Sequence, residues 1–241
     1  IGANYRFSDD AAAFARVSRG GRANADRLLF GVVLPDGSVR KADAIDFVQQ
    51  YEIGLKYRSG PFGLFVTGFH AKTQEQNFEA TTQRFFDRTY KATGVELEGA
   101  FRSGIFDLRA GATYTDAEIA SDAITPANEG NTPRRQAKFV YQVTPAVDLD
   151  VVRAGLNIVG TTRAYAQDSN ELIFPGYTQV NAFVNFRPIE NVELSLNANN
   201  LFNVTGITEA EEGSIVTGAN NFLRARSING RTVSASLRFD F

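Results

Sequence analysis

The chain has 241 residues, a formal net charge of -2, 43% hydrophobic and 22% charged residues, a balance typical of folded proteins and not of disordered ones. Without a strong positive field a nucleic-acid binder is disfavoured, and the absence of cysteine removes disulfides, thiolate metal sites and cysteine nucleophiles together. No run of about 18 apolar residues exists, which excludes a transmembrane helix but not membrane strands, which need only about 9–11 residues apolar at every second position.

Ile1–Phe7 already alternates like a strand, and position 1 is not methionine; the expectation is a chain whose N-terminal part, with any signal peptide, is missing. Ala11–Ser18 reads as the next strand, although Asp9–Ala15 is Ala-rich enough to start a helix that Ser18-Arg-Gly-Gly21 would cut short. Tyr51, Ile53, Leu55 and Tyr57 then oppose Glu52, Gly54, Lys56 and Arg58. Phe62–Thr73 follows, and Val95, Leu97, Gly99 and Phe101 oppose Glu96, Glu98, Ala100 and Arg102. Phe106, Leu108, Ala110, Ala112 and Tyr114 oppose Asp107, Arg109, Gly111, Thr113 and Thr115. Gln136–Thr144 and Asp148–Val159 are less regular, and an apolar phase shift at Val151-Val152 suggests a β-bulge. Tyr177–Arg187, Val192–Asn199 and the terminal Arg231–Phe241 bring the total to about eleven strands of bilayer-spanning length.

The connections alternate in length. Short ones fall at Ser8-Asp-Asp10, Ser59-Gly-Pro61, Ser103-Gly-Ile105, Pro145-Ala146 and Pro188-Ile-Glu-Asn191, all turn chemistry. Between them lie long links at 19–45, 75–89, 120–133, 161–176 and 203–230. Tight turns at one end and long loops at the other are the pattern of an outer-membrane barrel. Tyr51, Tyr57, Phe62, Phe101, Phe106, Tyr114, Phe239 and Phe241 cluster near strand ends, as an aromatic girdle requires. A soluble β-sandwich would instead place its rings at strand centres. The expected fold is all-β: an antiparallel transmembrane β-barrel in which 1–241 is one domain.

Four stretches carry a family resemblance: Tyr51-Glu-Ile-Gly-Leu-Lys-Tyr-Arg58, Tyr90-Lys-Ala-Thr-Gly-Val-Glu-Leu-Glu98, Asn199-Asn-Leu-Phe-Asn203 and the final strand ending at Phe241. In order and spacing the chain resembles the C-terminal half of the barrel of a TonB-dependent receptor. The resemblance implies a barrel of about 22 strands, of which about eleven are present, around an N-terminal plug that this chain lacks. It also implies residence in the outer membrane of a Gram-negative bacterium, contact with its lipid, and energisation by TonB through a TonB box in the missing region. Phe239 and Phe241 would be the signal read by the barrel-assembly machinery, making Phe241 a true C-terminus. An isolated half-barrel would leave two strand edges unpaired in lipid.

Nothing in the sequence calls for an enzyme, a cofactor or a metal. His70 is the sole histidine, leaving a triad one possible base and a zinc site no ligand set. Glu96 and Glu98 share a strand face, but a water-filled lumen accounts for two carboxylates without catalysis. The candidate ligand contacts lie in loops: Arg84, Phe85, Phe86 and Arg88 in 75–89, and Glu209, Glu211, Glu212, Asn220, Asn221, Arg224 and Arg226 in 203–230. Aromatic faces beside carboxylates and amides suit sugars, whereas clustered arginines suit an anionic iron chelate. Ile207-Thr-Glu-Ala-Glu-Glu-Gly213 with Arg224-Ala-Arg-Ser-Ile-Asn-Gly230 is similar to the last loop of receptors for carbohydrate uptake. The expectation is therefore active transport of a scarce small nutrient, leaning to carbohydrate, with a siderophore or a passive porin as alternatives.

Overall fold

The computed structural model describes residues 1–23, 36–37, 45–79, 84–210 and 224–240. Eleven of its strands form one antiparallel sheet in which each is bonded to the next along the chain. In chain order the strands are β1 (Gly2–Arg6), β2 (Ala11–Ala23), β3 (Ile45–Ser59), β4 (Phe62–Glu79), β5 (Arg84–Ser103), β6 (Phe106–Asp122), β7 (Phe139–Leu149), β8 (Val152–Thr161), β9 (Ala164–Tyr165), β10 (Ile173–Phe174), β11 (Tyr177–Ile189), β12 (Val192–Asn199), β13 (Ile207–Ala210), β14 (Ala225–Ser227) and β15 (Thr232–Phe239). The pairs β9–β10 and β13–β14 are separate two-stranded sheets inside the long connections.

The register sorts the side chains into two faces. On one face Leu55, Val66, Leu97 and Ala112 form a row, and Leu64, Gly99, Ala110 and Val143 form the next. On the other, Lys56, Phe65, Glu98, Gly111 and Gln142 share a row, and Arg102, Asp107 and Ala146 another. The apolar face is open: Ile53, Leu55, Leu97, Leu196, Leu237 and Phe239 are each more than two-fifths exposed. Among the described residues the buried hydrophobics are Ile119, Ala137, Ala146, Ala166, Phe174 and Ala210, nearly all at the loop end. A sandwich core would have buried Leu194, Leu196, Leu237 and Phe239. Instead they make a lipid-type surface on β12 and β15.

The apolar band tilts against the hydrogen-bond rows. On β5 its last apolar residue toward the loops is Val95, before Thr93; on β11 it is Val180, before Thr178. Val180 shares a row with Ile158, Val143, Ala110 and Gly99, and Gly99 lies four positions below Val95. Four strand steps for four residues is about 3.3 Å along for each 4.8 Å across, a tilt of about 35°, within the range of membrane barrels. Along β5 the band runs from Phe101 to Thr93, about 26 Å of strand or about 22 Å along the normal at that tilt, close to the usual apolar height. Aromatic rings mark its margins: Phe62 and Phe101 lie 4.8 Å apart at the turn end, and Tyr51 sits 6.5 Å from His70 at the loop end. His70 Nδ1 and Thr93 Oγ1 are 2.8 Å apart in the first polar row, and Lys138 donates to Asp116 at 2.8 Å in the same region.

Four short turns stand where the sequence places them, with Gly60 and Gly104 at positive φ. The fifth differs. Pro145 and Ala146 lie inside β7, and the chain turns at Asp150-Val151, where Asp150 takes φ 55°. The phase shift at Val151-Val152 is therefore a turn and not a bulge. Proline misled because it has no N–H for the ladder; here the pairing to β8 simply skips Thr144 and Pro145. In the Ala-rich start, Ala11–Ala15 is β-strand and Asp9 and Asp10 lie in the turn before it, with no helical turn. Strands β4 and β5 also run on to Glu79 and from Arg84, so the link expected at 75–89 shrinks to 80–83.

Aromatic rings cover glycines on neighbouring strands. A Cβ on Gly94 would collide with the Tyr114 carbonyl oxygen and with the edge of the Phe69 ring. Gly94→Ala is expected to cost about 1–3 kcal/mol in denaturant unfolding of the intact receptor. Adding Phe69→Leu should recover only part of it, because the carbonyl contact is backbone; full recovery would mean that ring packing alone matters.

Candidate functional site: the loop end of the barrel wall

Above the apolar band, two connections are locked together by a buried ion cluster. Arg88 on β5 donates from Nε to Asp122 Oδ2 at 2.7 Å and from Nη1 to Asp168 Oδ2 at 2.6 Å. Their side chains are 5%, 0% and 7% exposed. Asp122 also accepts from the backbone N–H groups of Ile124 and Thr125 and from the Asn128 amide. Burial alone would raise the Asp122 carboxyl, but these donors, led by the Thr125 N–H and joined by Arg88, hold it below the usual carboxylate value. Asp168 caps the other side, accepting the Arg134 N–H at 2.9 Å. Asn170, at φ 59°, brackets Thr132 by accepting its N–H and donating to its carbonyl. Loops 123–138 and 162–176 thus behave as one body.

That body presents two neighbouring arginines to two cavities. Arg134 lines one of about 720 Å³ with Asp46, Glu75 and Tyr90. Arg135 lines another of about 510 Å³ with Glu96, Glu98, Phe174, Tyr177 and Ile207. Arg135 is held at φ 62°, with its N–H bonded to the Tyr165 carbonyl at 2.7 Å. Its guanidinium meets Glu209 at 3.0 Å and the Ala210 carbonyl at 3.3 Å. Glu209 is shared with Arg226 of β14 at 3.4 Å. A small apolar cluster of Ala166, Phe174 and Ala210, flanked by Leu172 and Ile207, packs the last hairpin against the clamped loops. At the base of that connection Asn200, 1% exposed, donates to the Val204 and Asn229 carbonyls and accepts the Val204 N–H. This is the physical content of the Asn-Asn-Leu-Phe-Asn stretch.

The expected ligand residues are distributed unevenly over this site. Glu209 and Arg226 are brought together with Arg135, while Arg224 is exposed just ahead of β14 in the chain. Arg88 is committed to structure. Arg84, Phe85 and Phe86 belong to β5 and not to a loop; their side chains, together with Glu211, Glu212, Asn220, Asn221 and Phe241, lie outside the described residues. Phe239 faces outward opposite Val192. Sequence reasoning did not single out Asp122, Asp168, Arg134 or Arg135. The one available signal was Pro133-Arg-Arg-Gln136, a cationic pair after a proline in a long link.

The comparisons with known proteins agree with this geometry. A family model described as "TonB dependent receptor-like, beta-barrel" matches residues 1–201. The chain belongs to this family. It is 25% identical over 203 residues, 75% of its length, to a protein of Acinetobacter baumannii named a probable TonB-dependent siderophore receptor, PiuA. It spans 26% of that relative's length. In fold it is similar to the ferric yersiniabactin uptake receptor FyuA of Yersinia pestis, with TM-score 0.77 and 20% identity over all of this chain and 36% of that one. It is equally similar to the copper transporter OprC, with TM-score 0.77 and 16% identity over all of this chain and 38% of that one. The family is one of receptors and transporters. None of these relatives is named for carbohydrate, so the lean toward sugar gains no support, while the siderophore alternative does.

Proposed function

We propose that the chain forms part of the wall and outer loops of an outer-membrane receptor that takes up a ferric chelate by TonB-dependent transport. The observation that carries the reading is the alignment over three-quarters of the chain to a probable siderophore receptor. A tilted apolar band supports a wall in lipid, and Arg135, which lines a cavity under the clamped loops together with Glu96 and Glu98, offers a guanidinium to an anionic group of a chelate. The chemistry is capture and gated passage, driven by a difference in affinity between loaded and released states. Coupling to TonB belongs to the N-terminal part of the parent protein, and the outward Phe239 supports recognition by the assembly machinery. The test is uptake of radiolabelled iron in the source bacterium, offered as hydroxamate, catecholate and carboxylate chelates. Deleting the parent gene, or removing TonB, is expected to abolish uptake of one chelate class. Undiminished uptake of every class, with loss of oligosaccharide uptake, would return the reading to carbohydrate.

A further inference from the structure

We infer that the outward wall carries a binding site for a phosphorylated lipid of the surrounding outer leaflet, with Arg19 and Lys72 as its phosphate contacts and a notch at Gly68 for an acyl chain. The inference rests on the wall lying in lipid and not on which nutrient the receptor takes up. Register fixes the face. Arg19, Gln49, Lys72, Lys91 and Glu118 share one row across β2–β6. Each lies an even number of positions from an outward residue of its own strand, as Arg19 does from Val17 and Lys91 from Val95, so the row points away from the lumen. The tilt of the apolar band fixes the depth. Its margin moves by one residue per strand, so on β2 it passes between Val17 and Arg19 and on β4 between Gly68 and His70. At about 2.7 Å of height per residue along a strand tilted by about 35°, Arg19 stands about 3 Å and Lys72 about 8 Å beyond the margin. That is the depth of the headgroup layer, about 5–8 Å thick, where long cationic side chains meet lipid phosphates.

The charge here is uncompensated and local. Lys91 is paired with Glu118 at 3.7 Å and Lys138 with Asp116 at 2.8 Å, whereas Arg19 and Lys72 have no acidic partner among the described residues. They stand two strands apart, about 10 Å, a span that accepts two phosphates. The Arg19 guanidinium carbon lies 4.7 Å from the centre of the Phe47 ring, a contact that orients the group while leaving its N–H donors free. Gln49, between the two cations, is engaged with the Tyr51 hydroxyl at 2.6 Å. On β8 and β11 the matching outward positions are Gly160 and Thr178, which carry no charge, so this is one site and not a belt around the wall. Beneath Lys72, Gly68 shares a row with Ile53 and Val95, which are 68% and 48% exposed. The missing side chain leaves a notch one strand wide in the apolar face, directly under the cations, that an acyl chain fills.

The test titrates the full-length receptor in nonionic detergent with diphosphoryl lipid A and follows bound lipid by native mass spectrometry. Binding is expected to weaken about tenfold or more in the double variant Arg19→Gln, Lys72→Gln, and severalfold in Gly68→Leu, which alters no charge. Lys56→Gln removes one cation from the lumen face and should leave binding unchanged. Fully dephosphorylated lipid A should bind about tenfold more weakly or worse. The inference is overturned if the double variant binds like the unaltered receptor, if Lys56→Gln weakens binding as much, or if Gly68→Leu changes nothing. Displacement of the lipid by an equal concentration of pyrophosphate would also overturn it, by showing a site for free phosphate. Should the double variant fail to fold, the dephosphorylated lipid and the pyrophosphate competition still decide. A harmless Leu97→Lys would sink the placement of the wall in lipid, whereas a costly Leu97→Lys with lipid binding indifferent to Arg19 and Lys72 would sink this site alone.

Discussion

Arg88→Ala is expected to unlock the two clamped loops while leaving the barrel wall in place. The substitution leaves Asp122 and Asp168 as buried carboxylates without their cation. Removing one partner of a buried pair costs about 3–5 kcal/mol, much of it the penalty of the charge left behind. The loss should be local, because the remaining bonds of β5 and β6 are main-chain pairs from Thr89 and Ser121 downward. Hydrogen exchange in the full receptor is the measurement. The amides of Thr132, Arg134 and Ile119, which bond to Asn170, Asp168 and Asn131, should exchange a hundred-fold faster or more, by about 1.4 kcal/mol per decade. Amides of Leu97 and Val95 should not change. Neutralising the whole cluster, Arg88→Met with Asp122→Asn and Asp168→Asn, should recover much of the protection, since no charge is left unpaired. Unchanged exchange in Arg88→Ala would show that the clamp rests on backbone bonds alone.

The same cluster sets an acid limit. Asp122 titrates below the ordinary carboxylate value of 3.8, so its contribution is fully present above that pH and is lost as the pH falls through the lowered value. Acid opening of these loops therefore belongs below about pH 4, with the wall still folded.

The barrel wall was legible because a strand with lipid on one side and water on the other writes its environment at every second residue. Val192–Asn199 and Thr232–Phe239 could be assigned faces residue by residue, and their pairing keeps those faces together. Legibility failed where that contrast vanishes. Beyond Thr93 the alternation of apolar and polar residues stops, and Glu75–Glu79 reads as loop although it is paired to Arg84–Arg88. At Pro145 a local turn signal conflicted with pairing to Leu108 of β6, and the sheet prevailed. The clamp was harder still. Arg88, Asp122 and Asp168 are separated by 34 and 80 positions, and nothing in a single sequence marks three ordinary charges as partners.

The membrane assignment of the wall carries the other large effect, and one strand can test it with adjacent residues. Leu97 lies midway between Phe101 and Thr93 on the outward face, 44% exposed, while Glu98 faces the lumen beside Phe65 and Gly111. A lysine at the bilayer midplane of a barrel costs about 2–4 kcal/mol, falling to about 0–1 near the interface. Leu97→Lys is accordingly expected to destabilise the receptor by about 2–4 kcal/mol and Thr93→Lys by about 1 or less, measured by denaturant unfolding from lipid vesicles. Glu98→Gln should stay within about 0.5 kcal/mol, because a solvated lumen side chain has little to lose. The ranking is what matters. A soluble sandwich with Leu97 on a wet face would tolerate lysine there, and a lumen on the opposite face would reverse the order of Leu97 and Glu98. Depth dependence along β5, strongest at Leu97 and fading toward Thr93, is a signature that only a bilayer around this face produces.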